Sequence, residues 1–166
     1  MKMALTGLML LLFWYMLYSS QINIDMLAKA SQQLSMSAQL AAHDASLVIS
    51  PDSIGAGETV FNQAAASQVF QDTFDANAGF NPTTGQAIPG SLFQGSVQLL
   101  YQGFVDYSNQ STFPFDYVNN TYGINIVLND PAVIFVVQVT TRPYTASSAP
   151  QTWTYPVVYQ YSPGAY

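Results

Sequence analysis

The N-terminal third of the chain contains a long stretch without helix-breaking residues. Forty-three consecutive residues, 8–50, include neither glycine nor proline. A helix of this length measures roughly 65 Å at about 1.5 Å per residue, several times longer than an average helix of a globular protein. We therefore predict one continuous N-terminal helix that ends at Ser50, because the residue before a proline avoids the α-helical region.

The first half of this helix is apolar enough to enter a membrane. Met3 to Ile24 is a run of 22 residues without a charge, and as a helix it is about 33 Å long, close to the thickness of a bilayer core. Lys2 before it and Asp25 after it predict a cytoplasmic N-terminus and an external remainder. A cleaved secretory signal ending near Ser19–Gln21 is the alternative, but the helical pattern continues through this point, which favours a retained anchor.

The second half is amphipathic and rich in alanine. A narrow apolar stripe recurs at spacings of three or four residues, formed by Leu27, Ala30, Leu34, Ala38 (or Ala41) and Ala45. Small residues allow helices to approach closely. Two interpretations are open: the stripe packs on the domain that follows, or the helices of several subunits pack together.

Composition excludes several classes of function. Only 7% of residues are charged, three of them are Lys or Arg, and the net charge is −6. Nucleic-acid binding needs clustered basic residues, so we expect no nucleic-acid partner. The absence of cysteine excludes disulfides and cysteine metal sites. Uncharged polar residues and tyrosine are typical of an extracellular surface or a subunit interface.

Residues 51–166 are expected to form a separate head. A second helix is predicted over residues 59–74, with Glu58 at its start and Gly79 just beyond its end. Period-two alternation then predicts four strands, over residues 96–107, 123–129, 132–141 and 153–161. Asn129–Pro131 is a turn sequence, which predicts that the second and third of these strands form a hairpin. Pro156 indicates that the last strand lies at a sheet edge or contains a bulge.

These elements predict an α+β fold with two parts. Residues 1–50 form a long N-terminal α-helix with a hydrophobic tip and an amphipathic continuation. Residues 51–166 form an extracellular globular head in which one helix covers the apolar face of an antiparallel β-sheet.

No group of residues has the spacing of a catalytic, cofactor or metal site. The single histidine, His43, lies beside Asp44 and near Ser46, but neighbours on one helix do not converge on one reaction centre. Oxygen ligands for calcium are offered near the end of the second helix, without the spacing of a known loop, by Asp72, Asp75 and Asn77. We expect no enzyme activity and no cofactor.

Two glycosylation sequons lie in the loop predicted after the first strand. They begin at Asn109 and Asn119, and each is a candidate acceptor in a cell that glycosylates exported proteins.

The layout resembles that of type IV pilin-like and TadE-like pilus subunits. The matching parts are Met3–Ile24 as hydrophobic tip, Asp25–Ile49 as alanine-rich continuation, and a β-rich head from about Gly55. The chain departs from the bacterial pilin pattern at Leu5, where a glutamate follows the leader in that family. The resemblance implies a membrane-anchored stage followed by polymerisation, with helices in the filament core and heads outside.

The expected function is therefore that of a structural subunit in a pilus-like filament on the cell surface. Its partners would be copies of itself, the cytoplasmic membrane before assembly, and a secretion and assembly machinery. Nine residues are predicted to form the helix-bundle contacts: Leu8, Leu12, Tyr15, Ser19, Ile22, Leu27, Leu34, Ala38 and Ala41. The alternative is a single-pass anchored binding domain or a minor pilin-like protein that does not polymerise. Ala38→Trp or Ala41→Trp is expected to abolish assembly in a filament and to be tolerated in an anchored monomer.

Overall fold

The long N-terminal helix is the first element of the fold. A computed structural model describes residues 2–55, 58–145 and 148–161 of the chain, and in it helix α1 spans Lys2–Ser46. The helix ends before the predicted Ser50 because the chain then becomes extended. Ile49 forms a β-bridge with Phe61, and the Ser50 amide donates to the carbonyl of Val60 at 2.7 Å.

Two shorter helices follow α1. Helix α2 spans Pro51–Ile54, and α3 spans Gln63–Ala78, four residues later than the predicted 59–74. Asn62 caps the start of α3, its side-chain oxygen accepting from the Ala65 amide at 3.3 Å. The prediction that Glu58 lies at the helix start is wrong, because residues 58–62 are extended towards Asp106. The predicted stop is confirmed: Gly79 takes the left-handed conformation at the C-cap, with φ 83°.

The main sheet has three antiparallel strands in the order β1-β4-β5. Strand β1 spans Phe93–Val105, β4 spans Ala132–Thr141 and β5 spans Thr152–Gln160. Strand β5 pairs with β4 alone, so the edge position predicted from Pro156 is confirmed.

A second sheet contains two strands that the sequence analysis did not pair. Strand β2, Phe115–Asn119, lies within the predicted loop, and it pairs with β3, Ile124–Leu128. The predicted hairpin between β3 and β4 is wrong because β1 and β5 occupy both edges of β4. The Asn129–Pro131 turn instead leads from one sheet to the other, and the Gln160 side chain holds it by accepting from the Asn129 amide at 2.6 Å.

Strand β4 lies at the centre of three layers. Its Val133, Phe135, Val137 and Val139 side chains face α1 and α3, and Phe135 stacks on Phe70 with 3.9 Å between ring centroids. Ile134 and Val136 point the other way and pack against the β2–β3 hairpin. A strand covered on both faces needs a continuous apolar run rather than alternation, which explains the sequence AVIFVVQV. The α+β prediction is confirmed, with an additional strand layer.

The second half of α1 is an integral part of the head. Its alanines from Ala30 to Ala45 lie in the same core cluster as the inner face of β4. Ser35 Oγ and Tyr155 OH are hydrogen-bonded at 2.8 Å, and Thr73 of α3 donates to Asp44 Oδ2 at 3.3 Å. The first half of α1 continues beyond the head as an exposed helix.

Candidate assembly surface

The first half of α1 is the largest exposed apolar surface among the described residues. Leu8, Leu12 and Tyr15, all predicted assembly residues, are 55%, 56% and 66% exposed. Apolar side chains surround this part of the helix on all sides, and Trp14 and Tyr18 stack at 5.4 Å between ring centroids. Among the described residues, α1 from Leu5 onward is the one helix long and apolar enough to cross a membrane. It is therefore a candidate membrane anchor.

Three predicted assembly residues lie in the core of the head instead. Leu34 is 2% exposed, and Ala38 and Ala41 are fully buried. The prediction that they pack between copies is wrong, because the chain's own sheet and α3 already cover them. The remaining three, Ser19, Ile22 and Leu27, are half-buried at the transition between the two halves of α1. Periodicity found the stripe but could not identify which surface covers it.

A cleft of about 630 Å³ lies where the exposed helix meets the head. Helix residues on one side and the segment after β4 on the other line it, among them Tyr18, Ser19, Asn23, Tyr144 and Ser148. The Tyr144 hydroxyl donates to the Leu92 carbonyl at 2.6 Å, and burial raises its pKa. Asn23 Oδ1 is buried and has no hydrogen-bond partner in the described part of the chain. Polar groups thus collect at the level where the apolar helix ends.

The outward face of α1 within the head is also partly apolar. Met36 and Leu40 are exposed one turn apart, and with Lys29 they line a groove of about 560 Å³. The groove extends to Asn77 at the end of α3, whose carbonyl accepts from the Gln33 side chain at 3.0 Å. The sequence analysis missed this face because only the buried stripe has helical periodicity.

Asp75 lies on another side of α3 and is buried. The residue is 5% exposed, and its Oδ1 has no hydrogen-bond partner among the described residues. Burial, reinforced by the negative charge of Asp72, raises the pKa of Asp75 from 3.8 to about 6. The predicted calcium ligands do not converge: Asp72 is exposed and accepts from Gln68 at 2.9 Å, and Asn77 faces α1. No three acidic or histidine side chains form a metal-binding group in the described ranges.

Asp106 is the second buried acid, and hydrogen bonds satisfy it. Its Oδ2 accepts from the Phe61 amide at 3.0 Å and its Oδ1 from the Ser108 amide at 2.9 Å. These bonds join the segment before α3 to the loop after β1. The role of Asp106 is to hold these two segments together.

The two sequons differ in how their asparagines are held. Asn109 Oδ1 accepts from the Asp106 amide at 3.1 Å, and Nδ2 donates to the Phe104 carbonyl at 2.7 Å. Asn119 lies at the end of β2, and its side-chain oxygen accepts from the Thr121 amide at 3.2 Å. Glycosylation of either residue stays a prediction.

His43, Asp44 and Ser46 form local contacts on α1. His43 Nδ1 lies 3.0 Å from Asp44 Oδ1, and its ring meets Tyr159 edge-on. The Ser46 hydroxyl donates to the His43 carbonyl at 2.6 Å, directed away from the imidazole. These three side chains connect α1 to its surroundings in the head.

Comparisons of the chain with protein-family models, with curated proteins and with solved structures gave no match. The geometry of α1 and its head therefore carries the functional conclusion. That geometry divides one helix into a half that the head covers and a half that no other described residue covers.

Proposed function

We propose that the chain is a structural subunit of a pilus-like filament on the cell surface, assembled through the first half of α1 after a membrane-anchored stage. The observation that carries the proposal is the exposed apolar half of α1, which projects from a head that folds around the other half. Because one rigid helix forms the anchor and continues into the head, it fixes the orientation of the head relative to the anchor. Repeated copies could therefore stack with one geometry.

The free energy of apolar burial supports a partner for this half-helix. Fully burying one Leu, Met or Phe side chain stabilises a protein by about 1.5–3 kcal/mol relative to exposure in water. Residues Leu8 to Leu17 are all exposed and all apolar or aromatic, so water is a poor environment for them. Lipid satisfies them before assembly, and the same half of neighbouring copies replaces lipid afterwards.

Polar residues at the end of the apolar half favour helix contacts over lipid. Ser19, Ser20 and Asn23 lie within the last two turns before Asp25. Hydroxyl and amide groups near lipid gain from partners on adjacent helices.

A single-pass anchored display domain is the second candidate, and one observation favours it. The alanine-rich half of α1 is buried by its own head, so its length alone no longer requires a filament. In this alternative the exposed half stays in lipid and the head acts as a monomer outside the membrane.

Shearing of cells that express the chain separates these two candidates. A filament subunit is released into the supernatant as fibres that electron microscopy resolves and that an antibody to the head labels. The variant Leu8→Asp/Leu12→Asp serves as the matched control, because it removes the apolar tip without touching the head. Recovery of the wild-type chain solely as a detergent-soluble monomer would contradict the filament and support the anchored domain.

A further inference from the structure

The cleft beside Asp75 is a small pocket with one unpaired acid in an otherwise uncharged lining. Its volume is about 230 Å³. The walls come from α3, from the loop that follows it and from β1 and β4, and they include Phe70, Phe74, Pro82, Val97 and Leu99. Asp75 is the only charged residue of this lining. Gln71 and Thr83 also line it, and its accessible surface is more polar than apolar, which suits a ligand that carries a hydrogen-bond donor.

The carboxyl group of Asp75 lacks the partner that buried acids normally have. Buried polar atoms are nearly always hydrogen-bonded, and each exception calls for an explanation such as an ion or a ligand. The residue is 5% exposed, and Oδ1 has no partner among the described residues. Asp106, which is equally buried, shows the usual solution, since backbone amides and a hydroxyl bind its oxygens. No such donor reaches Oδ1 of Asp75 among the described residues.

Helix geometry places Asp75 away from the chain's own lysine. Thr73 faces α1 because its side chain donates to Asp44, and Asn77, four residues further on, lines a groove together with α1 residues. Asp75 lies two residues from each, about 200° around the helix at about 100° per residue. Lys29 lies in the groove beside Asn77. The body of α3 therefore separates Lys29 from Asp75 within one copy.

We propose that the Asp75 cleft binds the side chain of Lys29 from a second copy, with the ammonium group at the carboxylate. Lys29 is exposed and forms no ion pair with any described residue. The chain has just two lysines, Lys2 and Lys29, and Lys29 is the one on the head. The inference rests on the proposed filament and names a contact between its heads.

Lys29 and Asp75 line different clefts of the head. Each copy therefore offers both a donor and an acceptor. In a head-to-tail arrangement these contacts form rings or open helices, and the open helix is the arrangement that a filament requires.

Zero-length cross-linking with a carbodiimide tests the contact directly. The reagent joins an ammonium group and a carboxylate that touch, and a filament assembled from equal parts of ¹⁵N-labelled and unlabelled chains identifies links between copies by mass spectrometry. We expect a mixed-isotope Lys29–Asp75 peptide. The link should disappear in Lys29→Gln and Asp75→Asn, and persist in Asp72→Asn, which removes an exposed acid three residues away on the same helix.

Assembly measurements on the same variants supply a second readout. Lys29→Gln and Asp75→Asn should each raise the concentration needed for assembly about thirtyfold or more, as expected when one partner of a buried charge pair is removed. The double variant should be little worse than either single variant, because the two residues act as one pair. Unfolding curves of the dispersed chains show whether each variant still folds.

The outcomes separate this inference from the proposed function. Filaments that form normally in both variants, or that cross-link Lys29 to another acid or Asp75 to Lys2, would overturn the head contact and leave the filament in place. Absence of filaments from the wild-type chain would overturn both. A mixed-isotope Lys29–Asp75 link with additive variant effects would likewise count against the pairing, since a real pair is coupled.

Discussion

The two halves of α1 belong to one continuous helix and yet meet opposite environments. In the first half, large apolar side chains such as Leu8 and Leu12 are exposed on every side. In the second half, small side chains such as Ala38 and Ala41 are fully buried under β4, β5 and α3. Side-chain size follows this division, because alanine allows the helix to lie close to the sheet, whereas leucine and phenylalanine maximise the apolar area offered outward.

The two halves therefore differ in what stabilises them. The buried half derives its stability from contacts inside the chain, and under the proposed function the exposed half gains it from lipid or from other copies. A substitution in one half should therefore leave the property of the other unchanged. Each of the following experiments tests that independence.

The largest effect is expected from charges in the exposed half. Leu8→Asp/Leu12→Asp should raise the free energy of membrane insertion by about 6 kcal/mol, at about 3 kcal/mol for each aspartate near the helix centre. The chain should then leave the membrane fraction on carbonate extraction. Head unfolding, followed by circular dichroism, should stay at the wild-type midpoint.

The matched control adds the same charges to the outward face of the other half. Ser31 and Gln39 are both exposed, and Ser31→Asp/Gln39→Asp should leave the chain in the membrane fraction. Loss of membrane association in this control, or unfolding of the head in the first variant, would show that the two halves are not independent.

The next effect concerns the buried alanines. Ala38→Trp should destabilise the head by about 3 kcal/mol or more, because a core at native density has no room for an indole ring. Gln39→Trp, one residue further on the exposed side, should change the free energy of unfolding by less than about 0.5 kcal/mol. Denaturant titration in detergent measures both. Equal tolerance of tryptophan at 38 and 39 would contradict the burial of the alanine stripe by the head.

The stability of the head should depend on pH through the protonation of Asp75. The folded-state pKa of about 6 lies above the ordinary 3.8, so the unfolded chain releases this proton first as the pH rises. Stability is then full below about pH 4, falls between pH 4 and 6, and levels off above pH 6, a loss of about 3 kcal/mol. Residues 3–24 contain no acid or histidine and should not contribute.

The variant Asp75→Asn should remove most of this decline in the dispersed chain. Its stability at pH 7 should exceed that of the wild type, whereas Asp72→Asn, at an exposed position, should keep most of the decline, made smaller because the negative charge of Asp72 helps to raise the pKa of Asp75. If the free energy of unfolding rose by the same amount between pH 4 and 6 in the wild type and in both variants, Asp75 would not be a buried, unpaired acid.

The smallest effect concerns the hydrogen bond between α1 and β5. Tyr155→Phe should cost about 1 kcal/mol by removing the 2.8 Å contact with Ser35. Tyr15→Phe, on the exposed half of the same helix, should leave head stability unchanged. A double-mutant cycle with Ser35→Ala measures the pair, and a coupling energy of zero would mean that the two hydroxyl groups do not interact.

The parts of the fold that depend on local pattern could be predicted from the sequence. The length and apolar character of α1, the stop at Gly79 and the edge position of β5 follow from glycine, proline and periodicity. The pairing of strands could not be predicted. The turn at Asn129–Pro131 is compatible with a hairpin, and only the tertiary structure shows that β1 and β5 pair with the two edges of β4. Strand β2 was missed, although its alternation of Phe115 and Tyr117 with exposed residues offered a weak indication.

The residues of the candidate site also include some that could be predicted from the sequence and some that could not. The exposed tip residues Leu8, Leu12 and Tyr15 could be predicted because nothing else in the chain competes for an all-round apolar helix. The assignment of Ala38 and Ala41 failed, since a small-residue stripe has the same pattern whether the sheet or another helix covers it. Asp75 looked like its neighbour Asp72 in sequence, and only the packing of α3 distinguishes a buried acid from an exposed one.

Fluorescence of Trp14 tests most directly that the exposed half of α1 has its partners outside the chain. The chain contains two tryptophans, Trp14 and Trp153, so Trp153→Phe leaves one reporter in the exposed half. We expect brominated lipids to quench Trp14 in vesicles. In sheared filaments, we expect emission that stays blue-shifted and that aqueous acrylamide does not reach. Red-shifted emission that acrylamide quenches in both preparations would contradict the account.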